Sequence, residues 1–247
     1  MPTDPGSLAL LAALVLAAAI LYSSVGHAGA SAYLAAMALF GVHPAGMKPA
    51  ALVMNIVVAT AGTARWWSAG LIPWSLLWPL CTGSVPAAFA GGAVVLPADV
   101  YRRVLAVILL GAALRLWFPA RARQLRPVPG PRVLVALGAG LGFLAGLTGI
   151  GGGIFLSPIL ILAGWQDPKR TAGASSTFIL VNSVAGLLGH LAVARDIPQG
   201  TAVLAAVALA GGVYGSWLGA RRLPPLVLRR LLAAVLVIAG ARLALGG

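Results

Sequence analysis

Apolar stretches follow one another along almost the whole chain, at residues 8–22, 32–41, 50–64, 74–95, 101–118, 133–147, 154–164, 172–194, 200–220 and 226–245. Turn-forming and charged residues fall between them, from His43-Pro44 to Lys48-Pro49, from Arg65 to Pro73 and from Pro97 to Arg103. A run of about 20 apolar residues crosses the hydrocarbon core of a bilayer as a helix. Of the 247 residues, 60% are hydrophobic and only 9% charged, against about 25% charged in a soluble domain. Mean hydropathy is +0.99, which leaves too little polar surface to cover a soluble globule. The chain reads as an all-α polytopic membrane protein with a lipid bilayer around it. Its first apolar run, Ser7 to Leu21, has no basic segment before it and reads as a span, not a cleaved signal.

Charge narrows the function. The net charge is +13, but the arginines are scattered between apolar runs and form no patch for nucleic acid. They fit loops that set topology and touch anionic lipid. There is no glutamate, and the four aspartates (Asp4, Asp99, Asp167 and Asp196) lie in loops or at the ends of the apolar stretches. Intramembrane carboxylates mark cation and proton pathways, so a carboxylate-based cation porter is disfavoured. The same shortage removes the acids that intramembrane aspartyl proteolysis or a glutamate-dependent phosphatase needs. A Ser–His hydrolase could draw only on Ser157 or Ser176 with His190. The single cysteine, Cys81, excludes an intrachain disulfide. The sequence implies no enzyme, no metal site and no prosthetic group.

The two halves of the chain repeat one another. Leu96-Pro97, Arg102-Arg103 and Arg115-Leu116 recur as Leu223-Pro224, Arg229-Arg230 and Arg242-Leu243, each 127 residues later. Val25 to Ala30 faces Thr148 to Gly153 at a spacing of 123. The expected organisation is a first transmembrane repeat at 1–118, a basic Pro/Arg linker at 119–132 and a second repeat at 133–247. Counted whole, the apolar segments number eight, two of them broken at Ser23 to Ser31 and at Thr148 to Gly153. Counting each broken segment as two elements gives five per repeat and inverted repeats. Arg65, Arg121, Arg123, Arg126, Arg132, Lys169, Arg170, Arg221, Arg222, Arg229 and Arg230 then share one face. Lys48, Arg102, Arg103, Arg195 and Arg242 take the other, as the positive-inside rule prefers. The half-length pieces 32–41 and 154–164 could cross or re-enter.

The two interruptions are the natural place for chemistry. A glycine run at membrane depth frees backbone N–H groups that need a protein-lined or watery cavity. The half-helix after it directs its positive end there, which suits an anion. Candidate binding residues are Ser24, Gly26, His27, Gly29 and Ser31 in the first break and Gly149, Gly151, Gly152 and Gly153 in the second. A polar cluster in the following segments adds Asn55, Ser175, Ser176 and Asn182. Hydroxyls and amides donate to an oxyanion without carrying charge. Small residues also let transmembrane helices approach closely, so packing is the competing reading for the glycines, as interhelical hydrogen bonding is for the polar cluster. His27 and His190 are the candidate proton-coupling groups, with His43 behind them. Lys48, Arg65 and Arg170, at segment ends, could guide an anion inward.

These motifs resemble the sulfite exporter TauE/SafE family, also called TSUP anion transporters. The resemblance is carried by Gly149-Ile150-Gly151-Gly152-Gly153 with Ser157-Pro158, and by Lys169-Arg170 followed by Ala172, Ala174, Ser175 and Ser176. Gly26-His27-Ala28-Gly29-Ala30-Ser31 is the less glycine-rich counterpart. His27-Ala28 replaces part of the first glycine run, and Ser175 stands where threonine is usual. The resemblance implies transport of small sulfur-containing anions such as sulfite, sulfoacetate or thiosulfate across the bacterial cytoplasmic membrane, by alternating access around the two breaks. An anion channel or a non-transporting membrane scaffold is the alternative. The sequence leaves the anion, the direction, proton coupling and homo-oligomerisation open.

Overall fold

The computed structural model describes residues 1, 4–24, 26–117, 125–194, 196–219 and 225–245. Among them the chain forms ten helices: α1 Pro5–Ser24, α2 Ala30–Leu39, α3 Pro44–Ser68, α4 Trp74–Ala93, α5 Ala98–Trp117, α6 Pro131–Thr148, α7 Gly153–Leu162, α8 Pro168–Val193, α9 Thr201–Gly219 and α10 Pro225–Ala244. Each of the ten apolar stretches holds one of them. Val25, Arg121, Arg123, Arg195, Arg221, Arg222, Leu223 and Pro224 lie outside the described residues, as do the side chains of Arg115, Leu116, Arg229, Arg230 and Arg242.

Local chemistry starts and stops these helices. Pro44, Pro131 and Pro168 occupy the first turn, where a missing N–H costs nothing. The Asp167 carboxylate caps α8 by accepting from the amides of Lys169 (2.9 Å) and Arg170 (3.1 Å). The Asp4 carboxylate accepts from the Ser7 amide at 2.8 Å at the start of α1. By length and composition α1, α3, α6 and α8 can each cross a membrane. Trp67, Trp78, Val107, Leu114 and Val133 are exposed on the outside of the bundle, as lipid-facing side chains would be.

Glycine ridges set which helices touch. Gly138, Gly142 and Gly146 recur every fourth residue on α6, and a Cβ at any of them would run into the carbonyl of Leu80, Ser84 or Ala88 on α4. The two helices therefore run parallel with backbones in direct contact, as small-residue ridges permit. Gly211 and Gly215 on α9 meet the carbonyls of Leu16 and Ile20 in the same parallel sense on α1. In contrast α3 and α8 are antiparallel, because Gly62 meets Ser176, Gly173 meets Leu71 and Gly186 meets Leu52. The hydrophobic cores do not follow the halves of the sequence. One cluster joins Leu76, Leu77 and Leu80 of α4 to Leu134, Leu156, Leu160 and Phe178 of α6 to α8. The other joins Leu204 and Ala208 of α9 to residues of α1, α2, α3, α5 and α10. Each fourth helix is packed into the other half.

The short helices resolve as turn-backs. Ten residues rise about 15 Å, half of a roughly 30 Å core. Gly153, at the start of α7, lies against Ile179 and Ser175 in the middle of α8. Its far end comes just before Asp167, the cap of α8, so α7 runs back to the face from which α6 rose. At the other end of the bundle, α2 leaves the first break beside Val58 and Gly62 of α3 and returns to the start of α3. One face of the bundle therefore carries His43 and the starts of α1, α3 and α9, where Gly46 packs on Pro198. The opposite face carries Arg65 and the starts of α4, α6 and α8.

Candidate functional site

The two breaks share left-handed glycines at two equivalent positions. Gly26 and Gly149 have φ of 82° and 83°, and Gly29 and Gly152, the N-caps of α2 and α7, have φ of 103° and 81°. Members of each pair are 123 residues apart. These left-handed values favour glycine. Neighbours add a second constraint, since a Cβ at Gly26 would collide with Ala172 and one at Gly152 would stand 2.8 Å from Phe178 Cε1.

Tyrosines brace the irregular backbone. The Tyr33 hydroxyl donates to the Ala28 carbonyl, Tyr22 shares a 2.7 Å hydrogen bond with Ser31, and Tyr101 donates to the Thr148 carbonyl at 2.9 Å. Each satisfies a polar group that lipid could not. Ser31, bonded to Tyr22, does not line either polar cavity.

Between the breaks the two halves meet in one hydrogen-bonded cluster. Ser157 Oγ, in the second turn of α7, is 2.8 Å from His27 Nε2 and 2.6 Å from Ser175 Oγ on α8. Ser157 and Ser175 are buried. The pairing corrects the hydrolase arrangement considered above: Ser157 bonds His27 and not His190. Nearby, Asn55 Nδ2 approaches the Gly149 carbonyl at 3.4 Å, and the space a Cβ would need at Gly151 is bounded by Asn55 and Ser183. Asn182 Nδ2 donates to the Phe178 carbonyl at 2.7 Å within its own helix. The Oδ1 atoms of Asn55 and Asn182 are buried without a partner.

A cavity of about 450 Å³ opens from the Arg65 face down to His27. Its walls carry Ser24, Gly26, His27, Ser176, Arg65 and Lys169, and no acidic residue. Arg65 also donates to the Ser216 carbonyl on α9. Arg170 points elsewhere: it is exposed and pairs with Asp167 at 3.9 Å, and Lys169 takes the cavity wall. A smaller cavity of about 290 Å³ opens on the His43 face, with Lys48, His43, Tyr101, His190 and Asp196 on its walls. Among the described residues no three His, Cys, Asp or Glu side chains cluster as a metal site would.

The sequence pattern does not single out Ser157 beside His27 and Ser175, nor Lys169 on the wall where Arg170 is the expected cation. The available signal was position: Ser157 is four residues after Gly153, so it shares a helical face with the glycine that starts α7.

The family model for the sulfite exporter TauE/SafE matches residues 10–243. The chain is similar to "Probable membrane transporter protein y4hK" of Sinorhizobium fredii (strain NBRC 101917 / NGR234), 35% identical over 230 residues that cover 91% of this chain and 93% of that protein. It is also similar to "Probable membrane transporter protein YjnA" of Bacillus subtilis (strain 168), 25% identical over 240 residues that cover 88% and 92%. No solved structure matches. Matched along nearly its whole length, the chain belongs to the sulfite exporter TauE/SafE family and is a multi-pass membrane transporter of that type.

Proposed function

We propose that the protein carries a small anion, sulfite or another sulfur-containing oxyanion, across the bacterial cytoplasmic membrane by alternating access. The single observation behind this is the Ser157 bridge, which ties the first break to α7 and α8 beneath a cavity walled by Arg65 and Lys169. Two hydroxyls and an imidazole at membrane depth offer neutral donors to an oxyanion. The cations near the mouth raise its local concentration. Ser24 and Ser176 add hydroxyls to the wall, and the backbone at Gly26, Gly29, Gly149, Gly151, Gly152 and Gly153 gives close approach. Asn55 backs the second break, and Asn182, with a buried Oδ1 that has no partner, is a further candidate on α8. Proton coupling, where it operates, runs through His27 at the cluster or His190 on the far side.

Two inverted repeats, 1–118 and 133–247, would move around this point. The antiparallel α3–α8 pair, the equivalent α1–α9 and α4–α6 pairs and the matched left-handed glycines support that reading. The family description supports the substrate class, and the two bacterial relatives, both named as probable membrane transporters, support transport across a membrane.

The test is uptake of sulfite and thiosulfate by liposomes carrying the purified protein, beside Ser157→Ala and Gly152→Leu. Saturable, counterflow-accelerated flux lost in both variants is the expected result. Flux that never saturates would make the protein a channel, and no flux of either anion would sink the substrate class.

A further inference from the structure

The cavity on the His43 face has its own cation. Lys48, in the second turn of α3, is 7% exposed, and its Nζ donates to the carbonyls of Gly92 and Val94 at 2.9 Å each. Those carbonyls end α4, where the helix dipole is negative and a cation is favoured. Capping accounts for two of the three ammonium N–H donors. The third is left for the cavity, whose wall Lys48 forms. Among the described residues the ion pairs are Arg102–Asp99 and Arg170–Asp167, so no carboxylate neutralises Lys48. Asp196 stands exposed elsewhere on the same wall. A desolvated ammonium with only dipoles around it is costly, and a mobile anion would offset that cost.

A second orphan stands on the same wall. His190 is 6% exposed. Its Nε2–H donates to the Asp196 carbonyl at 3.2 Å, which leaves Nδ1 as a lone-pair acceptor in the neutral ring. Nδ1 is buried without a partner. A cation with a spare donor and an imidazole with a spare acceptor suit one kind of guest, an anion that still bears an O–H. At about 290 Å³ the space lies at the small end of ligand pockets, roughly 300–1,000 Å³, and excludes bulky organic anions.

We infer that this cavity is a second anion site, separate from the His27–Ser157–Ser175 cluster, which takes a compact, proton-bearing oxyanion with its charge on Lys48 and its O–H on His190 Nδ1. It extends the anion-transport reading by giving the substrate a station on the opposite face. It is tested without transport.

In a Cys81→Ala background, Ala98→Cys places a thiol on the cavity wall, and its labelling by neutral N-ethylmaleimide is timed in detergent. Inorganic phosphate at pH 7.5, where an imidazole is neutral and both ionised forms of phosphate keep an O–H, is the probe, and sulfate at equal ionic strength is the comparator. At ten times the half-protecting concentration, phosphate should slow labelling about tenfold, and sulfate should act only at higher concentration. Phospholipid phosphodiesters carry no O–H and group with sulfate. Lys48→Met should abolish protection, Lys48→Arg should retain it and Ser157→Ala should leave it unchanged.

Protection that survives in Lys48→Met, fails in Ser157→Ala, is absent throughout, or is equal for sulfate and phosphate would overturn the assignment. Flux in liposomes without protection sinks this site alone. Protection without sulfite or thiosulfate flux leaves the site standing and sinks the substrate class proposed above.

Discussion

The hydroxyl of Ser157 lies 2.8 Å from Nε2 of His27, a residue 130 positions earlier in the chain. This bond joins the first break to the half-helix that follows the second, and Ser175 completes it at 2.6 Å. It makes the two interruptions one polar centre beneath a cavity that carries Arg65 and Lys169.

Ser157→Ala removes the bridge and no backbone contact. Interhelical hydrogen bonds in membrane proteins average about 0.6 kcal/mol, so thermal unfolding should shift little. Anion flux should fall by roughly tenfold or more, which is the loss of about 1.4 kcal/mol or more from substrate or transition-state binding. A large drop in unfolding temperature with flux preserved would make Ser157 a packing residue.

The α4–α6 seam should be intolerant on one face only. Gly142→Ala drives a Cβ into the Ser84 carbonyl, whereas a Cβ at Gly140 meets nothing within 4 Å. Gly142→Ala should cost a few kcal/mol through overpacking, typically about 1–3. Gly140→Ala should be neutral or stabilising by up to about 1 kcal/mol. Thermal stability of the two purified variants checks the order.

Gly26→Ala and Gly41→Ala separate backbone strain from collision. Both positions have positive φ, 82° and 66°, so both pay roughly 1–2 kcal/mol for a left-handed residue. Only at Gly26 does the added Cβ also meet Ala172. Gly41→Ala should lower stability and keep flux; Gly26→Ala should lose both. Equal behaviour in flux assays would remove the close approach from the explanation.

Arg65→Gln should raise the KM for the anion several-fold and flatten its dependence on ionic strength, since Arg65 is a cavity cation. A fall in maximal rate with unchanged KM would instead identify Arg65 as the strap that holds α3 to Ser216.

At the start of α1, the amide of Ser7 holds the Asp4 carboxyl below its ordinary value of 3.8. A lowered pKa in the folded state means that the contribution is present above the ordinary value and is lost as pH falls through the folded one. Hydrogen exchange at the Ser7 amide should therefore speed up, beyond the intrinsic pH trend, only in strong acid, and Asp4→Ala should remove that response.

Much of the fold was legible. The ten apolar stretches and the two glycine breaks act over a few residues, so they appear as runs and gaps, whereas Pro44 to Pro49, expected between stretches, form the first turns of α3. Arg170 shows where this kind of reading stops. It was as plausible a cavity cation as Lys169, yet neighbours on a helix point about 100° apart, and only the rotation of α8 in the bundle puts Lys169 on the wall.

The sequence by itself determined a row of membrane helices with two glycine-rich interruptions, because hydropathy and backbone freedom belong to each residue and its near neighbours. The tertiary structure decided that α4 packs into the second half and α9 into the first. It also decided that His27 meets Ser157, and that Lys48 caps α4 with one donor to spare. Those outcomes depend on which glycine ridge docks on which backbone. That is a property of two surfaces brought together, and residues 130 apart carry no mark of it.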